Sequence, residues 1–262
     1  MTTQRQVALY WAVALGSAMA AGCAMDVGSD ETNSATIEAP LSPSISAQFN
    51  WAQGNTATFM GDSNQWSCFL TRMKGNFQGW GEMISAEVSG SPGGGHWYLG
   101  GSSFQQGVEA SGRCWAHNSD QDIAYFNWAQ DNDRTDMGAG WAMCALVKIS
   151  GKFQSTSEYV RIVKESVNHW YLDGSSTTYD VNAWAACSHG VISGPEYKWT
   201  SGRKDLETSG TGGRKFCYLT KVGGNFDNAN DGIAITLDST EMWNITGSGS
   251  GGKEVRARCA SF

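Results

Sequence analysis

A basic residue and an acid recur ten positions apart three times in this 262-residue chain: Arg72 and Glu82, Lys148 and Glu158, Lys221 and Asp231. Opposite charges facing each other across a hairpin mouth usually form a cross-strand ion pair. The same pair can also do recognition chemistry, the acid accepting hydroxyl hydrogen bonds from a sugar while the cation orients it. On spacing alone the ion pair is favoured. Glu82, Glu158 and Asp231 are kept as candidates for ligand contact, and no catalytic residue is assigned.

Tryptophan is the other residue type here with recognition chemistry. Trp80 stands in Gln78-Gly79-Trp80-Gly81, between two strand-like stretches. A glycine-flanked tryptophan in a turn has little core to enter, and an exposed one points to a partner. Stacking on a sugar ring is a natural use. Asn76 and Gln78 flank it, and Asn225 and Lys152 mark the same turn elsewhere in the chain. Trp51, Trp128 and Trp199, like Trp97, Trp170 and Trp243, recur at regular intervals. Repeated aromatics at strand positions are expected to fill interiors. Trp115 and Trp184 flank cysteines and are expected to pack against disulfides.

Other strings carry less. Gly61-Asp62-Ser63 resembles the nucleophile block of GDSL-type hydrolases, but the Asp-x-x-His pair that those enzymes carry near the C-terminus is missing. The string 227–232 resembles the start of a calcium loop, yet lacks the oxygen ligand at its third position and carries Asp238 where the twelfth should be Glu. His96, His117, His169 and His189 have no zinc-like spacing. A carboxylate pair for glycoside hydrolysis would leave no local motif. Asp120, Asp122, Asp131, Asp133 and Asp136 form the one acid-rich stretch that could supply it, and it is otherwise read as a solvated turn. No metal and no cofactor is expected.

These residues sit on a threefold repeat. CFLTRMKGNF from Cys68, CALVKISGKF from Cys144 and CYLTKVGGNF from Cys217 are one segment written three times. The tryptophans at 51, 128 and 199 set a period of 71–77 residues. Such self-similarity means repeated structural units, here residues 46–118, 119–190 and 191–262. Stretches such as EMISAEV, EYVRIVK and DGIAITL alternate with period two, which predicts strands. The predicted fold is all-β, with about five short strands per copy. The three modules are expected in one pseudo-threefold, β-prism-like body, with a sandwich-like triplet or separate beads as the rivals.

Seven cysteines fall as one pair per copy, with Cys23 left over. Cys68/Cys114, Cys144/Cys187 and Cys217/Cys259 are read as disulfides within copies, pairing between copies being the alternative. The odd cysteine has a reading of its own. Arg5 is the only charge before an apolar run from Val7 to Gly22, too short for a spanning helix and suited to a signal peptide, 1–22. Ala20-Ala21-Gly22-Cys23 resembles the lipobox of bacterial lipoproteins. That resemblance implies lipidation at Cys23, a bacterial cell-envelope location, and membrane contact through the anchor alone. Cleavage upstream of Cys23 would make the protein extracellular. Residues 23–45 are acidic and polar and are expected to be a flexible tether.

Net charge is −7, and −4 without the residues before 46. With no basic stripe, a nucleic-acid partner is not expected. The sequence therefore points to a non-catalytic exported protein that binds carbohydrate or another surface ligand in a lectin-like manner through its turns. A cell-surface assembly protein without a small ligand is the alternative, and a glycan-acting hydrolase the second.

Overall fold

A computed structural model describes residues 44–90, 94–105, 107–117, 123–165, 169–177, 180–210, 214–249 and 251–262. Copy 1 contributes β1 (Phe49–Ala52), β2 (Thr58–Asp62), β3 (Trp66–Lys74), β4 (Met83–Ser89), β5 (His96–Ser102) and β6 (Glu109–Ala116). Copy 2 contributes β7 (Ala124–Ala129), β8 (Thr135–Ala139), β9 (Met143–Ser150), β10 (Tyr159–Lys164), β11 (His169–Ser175) and β12 (Asn182–Ser188). Copy 3 contributes β13 (Ile192–Trp199), β14 (Arg203–Thr208), β15 (Lys215–Gly223), β16 (Gly232–Leu237), β17 (Met242–Ser248) and β18 (Glu254–Ser261). Each copy thus has six strands rather than five. The fold is all-β.

No sheet belongs to one copy. The orders are β1-β6-β3-β16-β17-β14, β2-β5-β4-β9-β12-β7 and β13-β18-β15-β10-β11-β8. Each copy places its first, sixth and third strands in one antiparallel sheet and its second, fifth and fourth in the next. The seams are β3 with β16, β9 with β4 and β15 with β10, and they close a cycle of copies 1–3, 2–1 and 3–2. The three copies are therefore woven together, which rules out separate beads.

This topology corrects the ion-pair expectation. The segment after Lys74 does not turn back as a hairpin. It crosses from one sheet to another, so Arg72 and Glu82 never face each other. Arg72 instead pairs with Glu109 at 2.8 Å, Lys148 with Glu87 at 2.7 Å and Lys221 with Glu254 at 2.8 Å. A β-bulge makes Thr71, Val147 and Thr220 the extra residue in their strands. Bulges break the two-residue alternation, so the basic residue does not share the face of its cysteine and leucine.

The disulfides join Cys68 to Cys114, Cys144 to Cys187 and Cys217 to Cys259. Each links directly opposed residues of neighbouring strands within one copy. Trp97, Trp170 and Trp243 are fully buried, and Trp51, Trp128 and Trp199 nearly so. Every one of the six donates its indole N–H to a backbone carbonyl. Trp51, Trp128 and Trp199 lie flat against Gly101, Gly174 and Gly247, where a Cβ would collide with the ring. That close approach explains why all three copies have glycine there.

Candidate binding site at the axial loops

The three inter-sheet crossovers meet around the pseudo-threefold axis. Phe77, Phe153 and Phe226 are fully buried there, their rings edge to face at 6.1–6.3 Å. Their backbones form a closed ring of hydrogen bonds. Phe77 N–H donates to the Phe226 carbonyl, Phe153 to Phe77 and Phe226 to Phe153, each at 2.8 Å. A second tier joins neighbouring copies. Gly151 N–H donates to the Glu82 carbonyl, Gly224 to Glu158 and Gly75 to Asp231, at 2.8–2.9 Å.

Glu82, Glu158 and Asp231 end these loops, and each is 0% exposed. They are loop fasteners, not ligand-facing acids. Glu158 Oε2 accepts the backbone N–H groups of Gln154 and Ser155. Asp231 Oδ2 accepts those of Asp227 and Asn228, and Oδ1 accepts the Lys253 ammonium at 2.6 Å. That lysine thus pairs with the last acid of the calcium-like string. Burial pushes the Asp231 carboxyl up, but Lys253 and the Asn228 N–H outweigh it and hold the group below the ordinary carboxylate range. Copies 1 and 2 have Val108 and Val181 in place of Lys253. Glu82 Oε1 accepts only the Phe104 N–H, at 3.3 Å, and its buried Oε2 has no partner.

Gln78 reaches across the axis, its Nε2 donating to the carbonyls of Phe226 and Phe153 at 3.3 and 3.4 Å. It ties copies together as well as facing the loop surface. Asn225 Nδ2 donates to Asp227 at 2.8 Å. Asn76 and Asn225 each keep a buried Oδ1 without a partner, and Lys152 is half-buried.

Trp80 is 70% exposed. Aligned on the buried acid, its counterparts are Thr156 and Ala229. Beside it lies Phe104, 83% exposed, whose ring presses on Gly81 so closely that a Cβ there would sit 2.7 Å from Cε2. Copies 2 and 3 put Thr177 and Ser250 at the Phe104 position. Copy 1 alone therefore offers a pair of solvent-facing aromatics at these positions, and Glu82 fastens the second of them through the Phe104 N–H. This is one asymmetric patch rather than three equal sites. Phe104 escapes a reading restricted to turn tryptophans, although its absence from the other copies is legible.

The remaining candidates lie apart from this patch. Trp115 packs against Phe216 and Phe262, and Trp184 lies under the Lys148 ammonium. His96 and His169 bond Asp62 and Asp136 at 2.6 Å on the sheet surface. His169 and the Gly138 N–H lower the Asp136 carboxyl. Asp131 and Asp133 are exposed in the β7–β8 turn. Asp120, Asp122, Cys23, the signal-like segment and the tether up to residue 43 lie outside the described residues. Among the described residues, no group of three or more His, Cys, Asp or Glu side chains could hold a metal ion.

No family model matches this chain, and comparison with curated proteins finds no match.

Proposed function

We propose that this protein is a non-catalytic, exported carbohydrate-binding protein whose site is the Trp80–Phe104 patch of copy 1. The observation that carries it is the pair of exposed aromatics on two adjoining loops, joined by the Phe104 N–H to Glu82 bond. Glu82, Gln78 and the axial hydrogen-bond ring hold the backbone, so the rings are offered at little ordering cost. Aromatic faces flanked by amide side chains suit the apolar faces and hydroxyl edges of a sugar ring. Three disulfides fit an oxidising, exported setting. The lipobox-like Cys23 would place the protein on the cell envelope as a lipoprotein.

A glycan array probed with residues 46–262, oxidised, tests this. Binding that falls on Trp80→Ala, with the unfolding midpoint unchanged, is the expected result. A folded protein that binds no glycan would sink the reading and direct attention to a protein partner, as in an assembly role.

A further inference from the structure

The neighbour of Trp80 across the copy boundary is a residue whose backbone is unusual. Asp180 has φ +85°, in the left-handed region. The equivalent positions in copies 1 and 3 are Gly107 and Gly252, at φ +79° and +87°. All three residues do the same backbone task, yet only copy 2 uses a side chain there. A side chain is strained in this region, and such outliers gather at functional sites.

The other two copies show what this position faces. A Cβ on Gly107 would lie 2.6 Å from the Ala229 Cβ, and one on Gly252 would lie 2.5 Å from the Thr156 Cγ2. Ala229 and Thr156 are the counterparts of Trp80. The rule is cyclic: the loop of one copy rests on the left-handed residue of the next. Copy 1 obeys it at the backbone. The Glu82 carbonyl accepts from Gly151 N–H at 2.9 Å, and Gly151 in turn abuts the Asp180 carbonyl too closely for a Cβ. By the same cyclic rule the position facing Trp80 is Asp180. Trp80 is 70% exposed, and Asp180 is exposed as well.

We infer that Asp180 is a binding residue, the polar half of a saccharide site that spans copies 1 and 2. This rests on the carbohydrate reading of Trp80 and deepens it. The ring of Trp80 stacks on the apolar face of a sugar, and the Asp180 carboxylate accepts two neighbouring hydroxyls. The ligand class is a neutral sugar with vicinal hydroxyls. An anionic sugar would be repelled by Asp180.

The test is Asp180→Gly, the residue that copies 1 and 3 already use. Wild type, Trp80→Ala and Asp180→Gly are titrated with the strongest array hit, or with mannan, β-glucan and chitin oligosaccharides, while melting is followed in parallel. Asp180→Gly should melt no lower than wild type and bind roughly tenfold or more weakly, the usual effect of losing a hydrogen-bonded charge. If Trp80→Ala abolishes binding while Asp180→Gly binds like wild type, the inference fails and the carbohydrate reading stands. If Asp180→Gly melts lower than wild type, Asp180 is a structural fastener and the inference fails. If wild type binds no sugar, both fail together.

Discussion

The backbone N–H of Phe77 donates to the carbonyl of Phe226 across 2.8 Å, joining the first copy to the last. The bond is one of three, so the ring closes only when all copies are in place. Phe153→Ala removes one wall of the ring cluster and leaves a cavity on the axis. The expected cost is about 3–5 kcal/mol. Because every copy contributes to the cluster, the loss should lower a single cooperative transition rather than split it. Thermal unfolding followed by far-UV and near-UV circular dichroism checks this. Two separated transitions would show that the copies unfold independently.

A single copy should not fold. Residues 119–190 would expose the strand edges of β9 and β10, whose partners in the intact chain are β4 and β15. Two three-stranded half-sheets would remain, each missing its seam. The disulfide Cys144–Cys187 would survive but cannot replace either seam. A two-dimensional NMR spectrum of the oxidised fragment should show narrow, unfolded-like dispersion. Well-dispersed peaks would contradict the woven topology.

Much of this fold was legible in the sequence, for identifiable reasons. The all-β class and the buried tryptophans follow from period-two patterning and recurrence, though each copy has six strands and not five. One cysteine pair per copy suggests the disulfide pairing within copies, and the structure decides it against pairing between copies. The sheet partners are not legible in this way. Nothing local distinguishes a hairpin after Lys74 from a crossover to another sheet, so the ten-residue spacing suggests Glu82 for Arg72, whose partner is Glu109. The buried acids were misread for the same reason, since a carboxylate that fastens a loop looks like any exposed acid in a turn. The exposure of Trp80 is legible because it departs from the repeat. Asp180 departs from it too, but its meaning depends on a left-handed φ that its residue type does not announce.

Lys253 and Asp231 form a buried pair at 2.6 Å, 3% and 0% exposed. Copies 1 and 2 do without it, using valine and glutamate at these positions. Lys253→Val alone strands the Asp231 charge and should cost about 3–5 kcal/mol. Adding Asp231→Glu recreates the arrangement of copy 2, where the longer acid reaches its loop N–H groups, and should recover much of that loss. A double-mutant cycle by urea denaturation measures the coupling. Additive effects would mean that the pair is not a unit.

Acid should weaken the fold through Glu254. Burial pushes this carboxyl up, but hydrogen bonds from Lys221, Lys198 and Arg256 outweigh it and hold its pKa at about 2. In the unfolded chain a glutamate titrates near ~4.3. The unfolded state therefore binds the proton first as pH falls. The stabilisation from Glu254 is complete above about pH 4.3 and is lost between there and about pH 2. Glu254→Gln should lower the melting midpoint at pH 7, where Lys221 loses its partner, and flatten the fall of the midpoint between pH 4.5 and 2. Melting curves across that range, wild type against variant, decide it. An undiminished acid slope in the variant would assign the acid sensitivity to other carboxylates, of which Asp238, held low by Thr240 and Arg203, is the next to replace.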